Sequence, residues 1–399
     1  MKKLIALVLV VTLLTGLLAG CTGGSSSSVP GSAAGSAEPQ NNAQELPEPW
    51  KLGIPDMRAK STDPTWGALI AQVELLASVA NGEIVYLSGS TSTAEGSLEN
   101  VEQAIALGCD GLMIMPVTDS IMPTVSQKCQ EAGMYFASMF RKIQDPDTLA
   151  LLEENPYWCG WTIEKEYEEG YNVMTYLHEQ GVSTVAFYGQ EVGDACSDMR
   201  EAGMRAAAEE LGVDVVAEVR NLGSTTEITQ AFEAVIGSNP DLDGLIMISS
   251  YVTNTTEAMA EAITVAGKTG EIKLGTLDMT ISQADLFDAG KLDISAGGQH
   301  IINAFLTAAS LVNFIVGTPL DPDGKPNYTE DSYVYAYSGD DIRQFFQYYG
   351  GEDGSVMIYN EDEIKELALK WFNPELTQED FYALGENWSL EDLITRHGE

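Results

Sequence analysis

The chain has 399 residues, is 44% hydrophobic, and carries 60 acidic against 20 basic side chains for a formal charge of −40. Single cores seldom grow past about 250–300 residues, so this length implies more than one core. A charge this negative repels phosphate and excludes nucleic acid as a partner, leaving most of the acids to solvate the surface.

The N-terminus carries a processing signal. Lys2 and Lys3 precede an apolar run over 4–18, which ends in Leu18-Ala19-Gly20-Cys21. A basic start, an apolar stretch and small residues at a cleavage point make a secretory signal, and the run is too short for an ordinary membrane-spanning helix. The Leu-Ala-Gly-Cys ending resembles the bacterial lipoprotein lipobox, which implies a diacylglyceryl group on Cys21 and cleavage before it. Cleavage leaves 18 basic against 60 acidic side chains, a charge of −42. Residues 22–49 are Gly, Ser, Ala and Pro with almost no large apolar side chains. That composition cannot build a core and is expected to form a disordered tether.

An α/β array starts at Trp50, with a strand expected over 51–54, a helix over 68–80, a strand over 84–87 and a helix over 98–107. The next stretch, 111–141, shows the plan most clearly. An apolar run over 112–115 stops at Pro116, a helical spacing follows (Ile121, Val125, Cys129), Gly133 closes it, and a second apolar run covers 134–137. Strands apolar on both faces and joined by a crossover helix belong in a parallel sheet covered on both sides. The polar and aromatic residues lie at the strand ends, over 116–119 and 138–141, where open α/β sheets hold their ligands.

The pattern lapses after Arg141 and restarts at Trp158. Helices are expected over 167–179, 199–211, 228–236, 256–266 and 284–289, and strands over 184–188, 213–219, 244–248, 272–276 and 292–296. Two such arrays predict an α/β fold of two doubly wound parallel-sheet lobes joined by a multi-strand hinge, with a crevice between them. Crossings are expected near 154–161, near 297–299 and after Val316. A long apolar helix over 301–316 and a strand over 333–337 follow. The tail offers three capped helix starts, at Asn360, Thr377 and Ser389, expected to pack on the body. The expected division is 1–21 signal and lipobox, 22–49 tether, 50–157 plus 299–327 N-terminal lobe, 158–298 plus 328–345 C-terminal lobe, and 346–399 C-terminal extension.

No catalytic group is expected. Gly267-Lys268-Thr269 ends a helix and has Ala262 where a phosphate loop needs glycine. Of the three histidines, His178 and His397 read as solvated, and His300 follows a strand closely enough to sit at the rim of the crevice. There is no Gly-x-Ser-x-Gly elbow. Asp321-Pro322-Asp323-Gly324 reads as a turn rather than a calcium loop. Cys109, Cys129, Cys159 and Cys196 have no Cys-x-x-Cys spacing, so neither a metal nor a cofactor is expected. The informative side chains are aromatic. Trp66, Phe140, Trp158, Trp161 and Tyr251 lie just beyond expected strands or in crossings, where ring faces and a few hydrogen-bonding groups can hold a polyhydroxylated or planar ligand.

From 51 to 338 the sequence resembles the sugar-binding lipoproteins of ABC importers, with the type 1 periplasmic binding fold of the ribose and galactose binders. The family's Asn-Pro-aromatic-aromatic turn is matched by Asp63-Pro64-Thr65-Trp66. Its Gln-Gly-Val-Asp-Ala-Ile-Ile-Ile-x-Pro run is matched by 107–116, Leu-Gly-Cys-Asp-Gly-Leu-Met-Ile-Met-Pro. Its Asp-Arg, which grips sugar hydroxyls, stands here as Phe140-Arg141. Its Gly-Phe-Asp stands as Thr276-Leu277-Asp278, followed by Gly290-Lys291-Leu292. Its final-strand glutamine falls at Gly298 or Gln299. Two places depart: the arginine that starts the helix after the sixth strand falls near Asp198, with Arg200 two residues on, and Ser250-Tyr251 replaces asparagine before aspartate.

The aromatic reading and the resemblance together imply ligand contacts from Asp63, Trp66, Phe140, Arg141, Trp161, Asp198, Ser250, Tyr251, Asp278 and Gln299. The resemblance implies a monomeric, extracytoplasmic solute-binding protein that delivers a sugar, a polyol or a nucleoside-like molecule to ABC permease subunits. The alternatives are the ligand-binding module of a membrane sensor and a secreted glycosidase, the latter needing two facing acids roughly 5–10 Å apart. The lipobox is open to direct test. Cys21→Ser should abolish lipid labelling and release the protein from membranes, because a diacyl group anchors stably; retention at the wild-type level would rule out the anchor.

Overall fold

A computed structural model describes residues 45–57, 64–349 and 356–398. The signal segment, Cys21, nearly all of the tether and Asp63 lie outside these residues.

The first array runs β1 (Trp50–Pro55), α1 (Pro64–Val79), β2 (Gly82–Leu87), α2 (Ala94–Ala106), β3 (Gly111–Ile114), α3 (Met122–Ala132), β4 (Tyr135–Met139), α4 (Pro146–Glu153) and β5 (Trp158–Glu164). The second runs α5 (Glu166–Glu179), β6 (Thr184–Gly189), α6 (Ala195–Leu211), β7 (Asp214–Arg220), α7 (Thr225–Ser238), β8 (Gly244–Met247), α8 (Thr255–Val265), β9 (Lys273–Leu277), α9 (Gln283–Asp288) and β10 (Ile294–Gly297). The chain then returns through α10 (Gln299–Ile315), β11 (Asn327–Asp331) and β12 (Val334–Ala336). It ends in α11 (Gly339–Tyr348), α12 (Glu361–Leu367), α13 (Gln378–Glu386) and α14 (Leu390–His397).

These elements build two six-stranded sheets, ordered β11-β5-β4-β3-β1-β2 and β12-β10-β9-β8-β6-β7. Every pairing is parallel except β10 with β12. Both sheets are doubly wound, and each reverses its strand order beside its first strand, β1 or β6. The local causes are plain. The central strand β3 is buried along its whole length, as a strand covered on both faces must be. Thr93 caps α2 by accepting the Gly96 N–H, and Gly133 ends α3 in the left-handed region.

Sheet membership moves two of the expected boundaries. The crossings lie at 164–166, between β5 and α5, at 297–299, between β10 and α10, and at 331–334, between β11 and β12. Residues 158–164 therefore belong to the first sheet, not to the C-terminal lobe, because β5 pairs with β4 and β11. Residues 328–331 join the first sheet as well, since β11 pairs in parallel with β5 from Asn327 to Asp331. The lapse after Arg141 also holds a helix, α4, capped by Asp145 with Pro146 in its first turn. The cysteines of the described residues are free thiols: Cys109, Cys129 and Cys159 are buried and Cys196 is half-buried.

The expected tail helices form, with capping boxes at Asn360/Glu363 and Thr377/Asp380 and a Ser389 cap on α14. They pack on the body: α12 on α1, α13 on β11, α14 on α11, and α11 on α9. Tyr359 stacks on Phe305 of α10 at 4.5 Å between ring centroids.

The tightest helix contact is that of α5 with α6. A Cβ at Gly170 would lie 1.9 Å from the Arg200 carbonyl oxygen, and one at Gly203 would lie 1.9 Å from the Tyr167 carbonyl oxygen. The two backbones touch because both residues are glycine. Gly203→Ala should force the helices apart and lower stability by about 1–3 kcal/mol, the usual cost of overpacking, read as a lower urea midpoint. An unchanged midpoint would mean that the pair can slide.

Candidate functional site

Two groups of side chains meet where the crossings converge. The first is an aromatic cluster on the first lobe. Trp66, in the first turns of α1, meets Phe140 edge-on at 6.4 Å and His300 at 5.7 Å, and Phe140 meets His300 at 5.5 Å. Phe140 follows β4 with φ 62°, an uncommon value for a residue with a Cβ. Its N–H is held there by the Asn303 side-chain oxygen at 3.1 Å and the Thr162 carbonyl at 3.0 Å. Next in the chain, Arg141 donates from Nη1 to the Phe140 carbonyl at 2.9 Å and to Cys196 Sγ at 3.0 Å. Because β4 belongs to the first lobe and α6 to the second, the thiol contact spans the crevice.

The second group surrounds Arg200, on α6, which is 3% exposed. Its Nε pairs with Glu166 and lies 3.0 Å from Glu169 Oε2. Its Nη1 donates to the Ile248 carbonyl at 3.1 Å and to Asp278 Oδ1 at 3.3 Å, and its Nη2 reaches the Tyr333 hydroxyl at 3.3 Å. That hydroxyl lies 3.2 Å from Glu164 Oε2 and 2.8 Å from Glu166 Oε2. Gln299 donates to Glu164 Oε2 at 3.5 Å, and His300 Nδ1 lies 3.9 Å from Glu164 Oε1. Glu164 and Glu166 flank the first crossing, Gln299 and His300 follow the second, and Tyr333 lies in the third, beside the buried Asp331. The hinge is thus built around one buried cation and a set of buried carboxyls.

Burial pushes the carboxyls of Glu164, Glu166, Glu169 and Asp331 above the usual range, with Arg200 pulling the three glutamates back and Asn303 restraining Asp331. Burial opposes the charge on Arg200, but Glu166, Glu169 and Asp278 outweigh it and hold the guanidinium charged.

Of the residues expected to touch ligand, Trp66, Phe140 and Arg141 come together on the first lobe. Asp278 stands opposite on the second, at φ 97° after β9. Gln299 is fully buried at the hinge, so of the two candidates for the family's glutamine the side chain present is Gln299, with Gly298 forming the bend before α10. Tyr251 is 77% exposed and donates to Asp194 Oδ2 at 2.6 Å. Ser250 turns back on Thr255 at 2.6 Å, and Asp198, in the first turn of α6, accepts the Gly193 N–H at 2.9 Å.

Trp161 is not with them. Its ring packs on that of Tyr328, tilted by 38° at 4.2 Å between centroids, and helps line a hollow of about 430 Å³ with Lys142, Leu149 and Tyr382. The β5 pairing slips between Phe136 and Ser138, beside Gly160 at φ 100°. That irregularity turns Trp161 onto the same face as Trp158, within the first lobe's own core. The sequence placed Arg200 two residues from the family's arginine but gave it no role, and did not mark Glu164, Glu166, Glu169 or Tyr333. A signal for Arg200 existed: it lies on the stripe Ser197, Arg200, Gly203, Met204, Ala207 that α6 buries, and a lone charge on such a stripe demands buried partners.

Chemically, the assembly offers ring faces, a donor fork at Arg141 and an acceptor at Asp278, a set suited to holding a small hydroxylated ring. Glu164, Glu166 and Glu169 are committed to Arg200 and Tyr333, while Asp278 shares one oxygen with Arg200 and keeps a side chain 37% exposed. Among the described residues no helix is long and apolar enough to cross a membrane, and no cluster of side chains could hold a metal ion.

Residues 57–319 match the family described as the periplasmic binding protein domain. Solved structures share the fold at low identity. A periplasmic ribose ABC transporter protein from Conexibacter woesei is 14% identical over 76% of this chain and 96% of its own, with a TM-score of 0.61. A periplasmic sugar-binding protein from Pseudomonas fluorescens is 13% identical over 86% of this chain and 99% of its own, with a TM-score of 0.63. An ABC transporter solute-binding protein from Bacillus halodurans, with bound myo-inositol, is 15% identical over 75% of this chain and 97% of its own, with a TM-score of 0.56. No curated protein matches the chain.

The hinge makes a prediction about pH. Unfolded glutamate titrates near 4.5 and aspartate near 3.8, and the native values are higher, so the native state binds more protons. Stability from these groups is complete below that range and is lost as pH rises through the native values. Between pH 5 and 8 the melting temperature should fall, and Glu169→Gln should flatten the slope and raise stability at pH 8. Equal slopes in the two proteins would place the titrating groups elsewhere.

Proposed function

This chain belongs to the periplasmic binding protein domain family, and from that premise we propose that it captures a small neutral sugar or polyol outside the cytoplasm and hands it to an ABC import permease. The observation that carries this reading is the gathering of Trp66, Phe140 and Arg141 on the first lobe, with Arg141 bonded across the crevice to Cys196 of the second lobe, where Asp278 follows β9. A guanidinium and a carboxylate supply donors and acceptors to vicinal hydroxyls, while the indole and phenyl rings cover the apolar face of a sugar ring. Solved relatives of the same fold are named for ribose or hold myo-inositol, both small hydroxylated rings. Closing the lobes over the ligand is the motion this architecture supports, with the crossings as pivots.

The diacylglyceryl anchor on Cys21 and the tether over 22–49 complete the reading: the domain is held at the membrane surface, within reach of a permease. The chain acts as a monomer and catalyses nothing. The nearby acids are occupied by Arg200, which supports binding over glycoside hydrolysis.

The test is a thermal-shift screen on protein that has been unfolded and refolded to strip carried-over ligand. A ligand at a hundred times its dissociation constant should add about 2.7 kcal/mol. Arg141→Ala removes a charged hydrogen bond of about 1.5–3 kcal/mol, and should weaken binding about tenfold to a hundredfold. Asp278→Asn should weaken it in the same direction, and the unliganded melting temperature should change little in either variant. Full response in both variants would remove this wall of the cleft from the reading, and turnover of oligosaccharides would replace it with an enzyme.

A further inference from the structure

The last two residues of α13 and the turn that follows, together the 385–388 turn, hold two of the crossings at once. Trp388 is 1% exposed and donates its indole N–H to the Gly298 carbonyl oxygen at 3.2 Å. Gly298 is the residue between β10 and α10. Three residues before Trp388, the Gly385 carbonyl accepts the Ser332 backbone N–H at 3.0 Å, and the Glu386 carbonyl accepts the Ser332 hydroxyl at 3.0 Å. Ser332 lies between β11 and β12. Gly385 can come this close because it lacks a side chain: a Cβ there would lie 2.7 Å from the Glu330 carbonyl oxygen. Gly298 is gripped from its other side by α11, where a Cβ would lie 2.4 Å from the buried Phe345 ring.

The extension also reaches both lobes. Its helices α12 and α13 pack on α1 and β11 of the first lobe, while α14 packs on α11, which packs on α9 of the second. A segment fixed to both lobes and to the pivots between them must shear or release when the lobes part. In this structure the lobes are together, with Arg141 touching Cys196, and the hydrogen bonds of the 385–388 turn are all made.

We propose that the 385–388 turn is a strap on the hinge, and that Trp388 is a positioning residue that sets ligand affinity from outside the cleft by favouring the state with the lobes together. The apparent affinity of a hinged binder scales with the fraction of molecules in the binding-competent arrangement, so a hydrogen bond specific to that arrangement acts on affinity without touching ligand. The effect on affinity rests on the solute-binding reading, whereas the restraint on the hinge rests on the contacts alone.

Two variants of the full chain test this. Trp388→Phe keeps a buried ring and loses the N–H; Ser332→Ala leaves Trp388 intact and loses the hydroxyl bond to Glu386. Small-angle scattering gives the radius of gyration without ligand, and calorimetric titration with D-ribose, D-allose and myo-inositol gives affinity. Each variant should show a larger unliganded radius, a Kd raised about threefold to tenfold, as expected for one hydrogen bond, and the wild-type radius at saturation. If the melting temperature falls while radius and Kd stay unchanged, the turn only stabilises the fold and the strap is overturned. A raised Kd with an unchanged radius places the effect inside the cleft and overturns it equally. If none of the three probes binds the wild type, the radius alone decides the strap, and the sugar reading fails separately.

Discussion

Arg200 is a full positive charge sealed from water at the junction of the two lobes, and the rest of the architecture is arranged around keeping it so. Stripping water from a guanidinium costs several kcal/mol, and only well-placed counter-charges offset that. The carboxyls come from Glu166 and Glu169 on α5 and Asp278 after β9, with Glu164, at the end of β5, farther off at 3.9 Å and linked through Tyr333. Arg200, Glu166, Glu169 and Asp278 all belong to the second lobe, and the network reaches the first lobe through Glu164 at the end of β5. Losing Arg200 itself would leave several carboxyls buried without their shared cation, which is far costlier than losing an exposed ion pair. The network therefore fixes where the chain may pass from lobe to lobe, and the strand ends that form the cleft take their positions from it. The same acids that neutralise Arg200 keep it from serving as a free anion receptor.

Much of this fold is legible in the sequence because buried parallel strands and amphipathic helices leave unmistakable periodicities. The run over 112–115, the glycine stop at Gly133 and the caps at Asn360, Thr377 and Ser389 each work through local chemistry, and local chemistry survives in a one-dimensional reading. The crossings were harder. Strand β5 reads Trp-Cys-Gly-Trp-Thr-Ile-Glu, and its Gly160 irregularity breaks the alternation that marks a strand. Strand β11 reads Asn-Tyr-Thr-Glu-Asp and buries its polar members, Asn327, Thr329 and Asp331. Asn327 meets Ser310 and Gln378, and Asp331 meets Asn303. A strand whose inward face is polar is invisible to hydrophobic pattern, and its partners are supplied only by tertiary structure.

The site divides along the same line. Phe140, Arg141 and Asp278 of the proposed site were open to a sequence reading because they follow strands, and Trp66 because the family likeness marks its turn. Glu164, Glu166 and Glu169 were hidden by abundance, since among 60 acids nothing in one dimension separates three that are buried from the many that are solvated. Trp161 was misplaced for the opposite reason: aromatic residues at a crossing draw attention, and the slip in register that turns this one into the core is a property of paired strands.

The backbone contact between α5 and α6 has a mechanical meaning. Where two helices touch main chain to main chain at Gly170 and Gly203, no side-chain layer lies between them to deform under load. The α5–α6 pair then behaves as a stiff beam whose root is the first crossing, with the Glu166–Arg200 bond tying the beam's two members at that root. Rotation at that root then carries the two helices as one body.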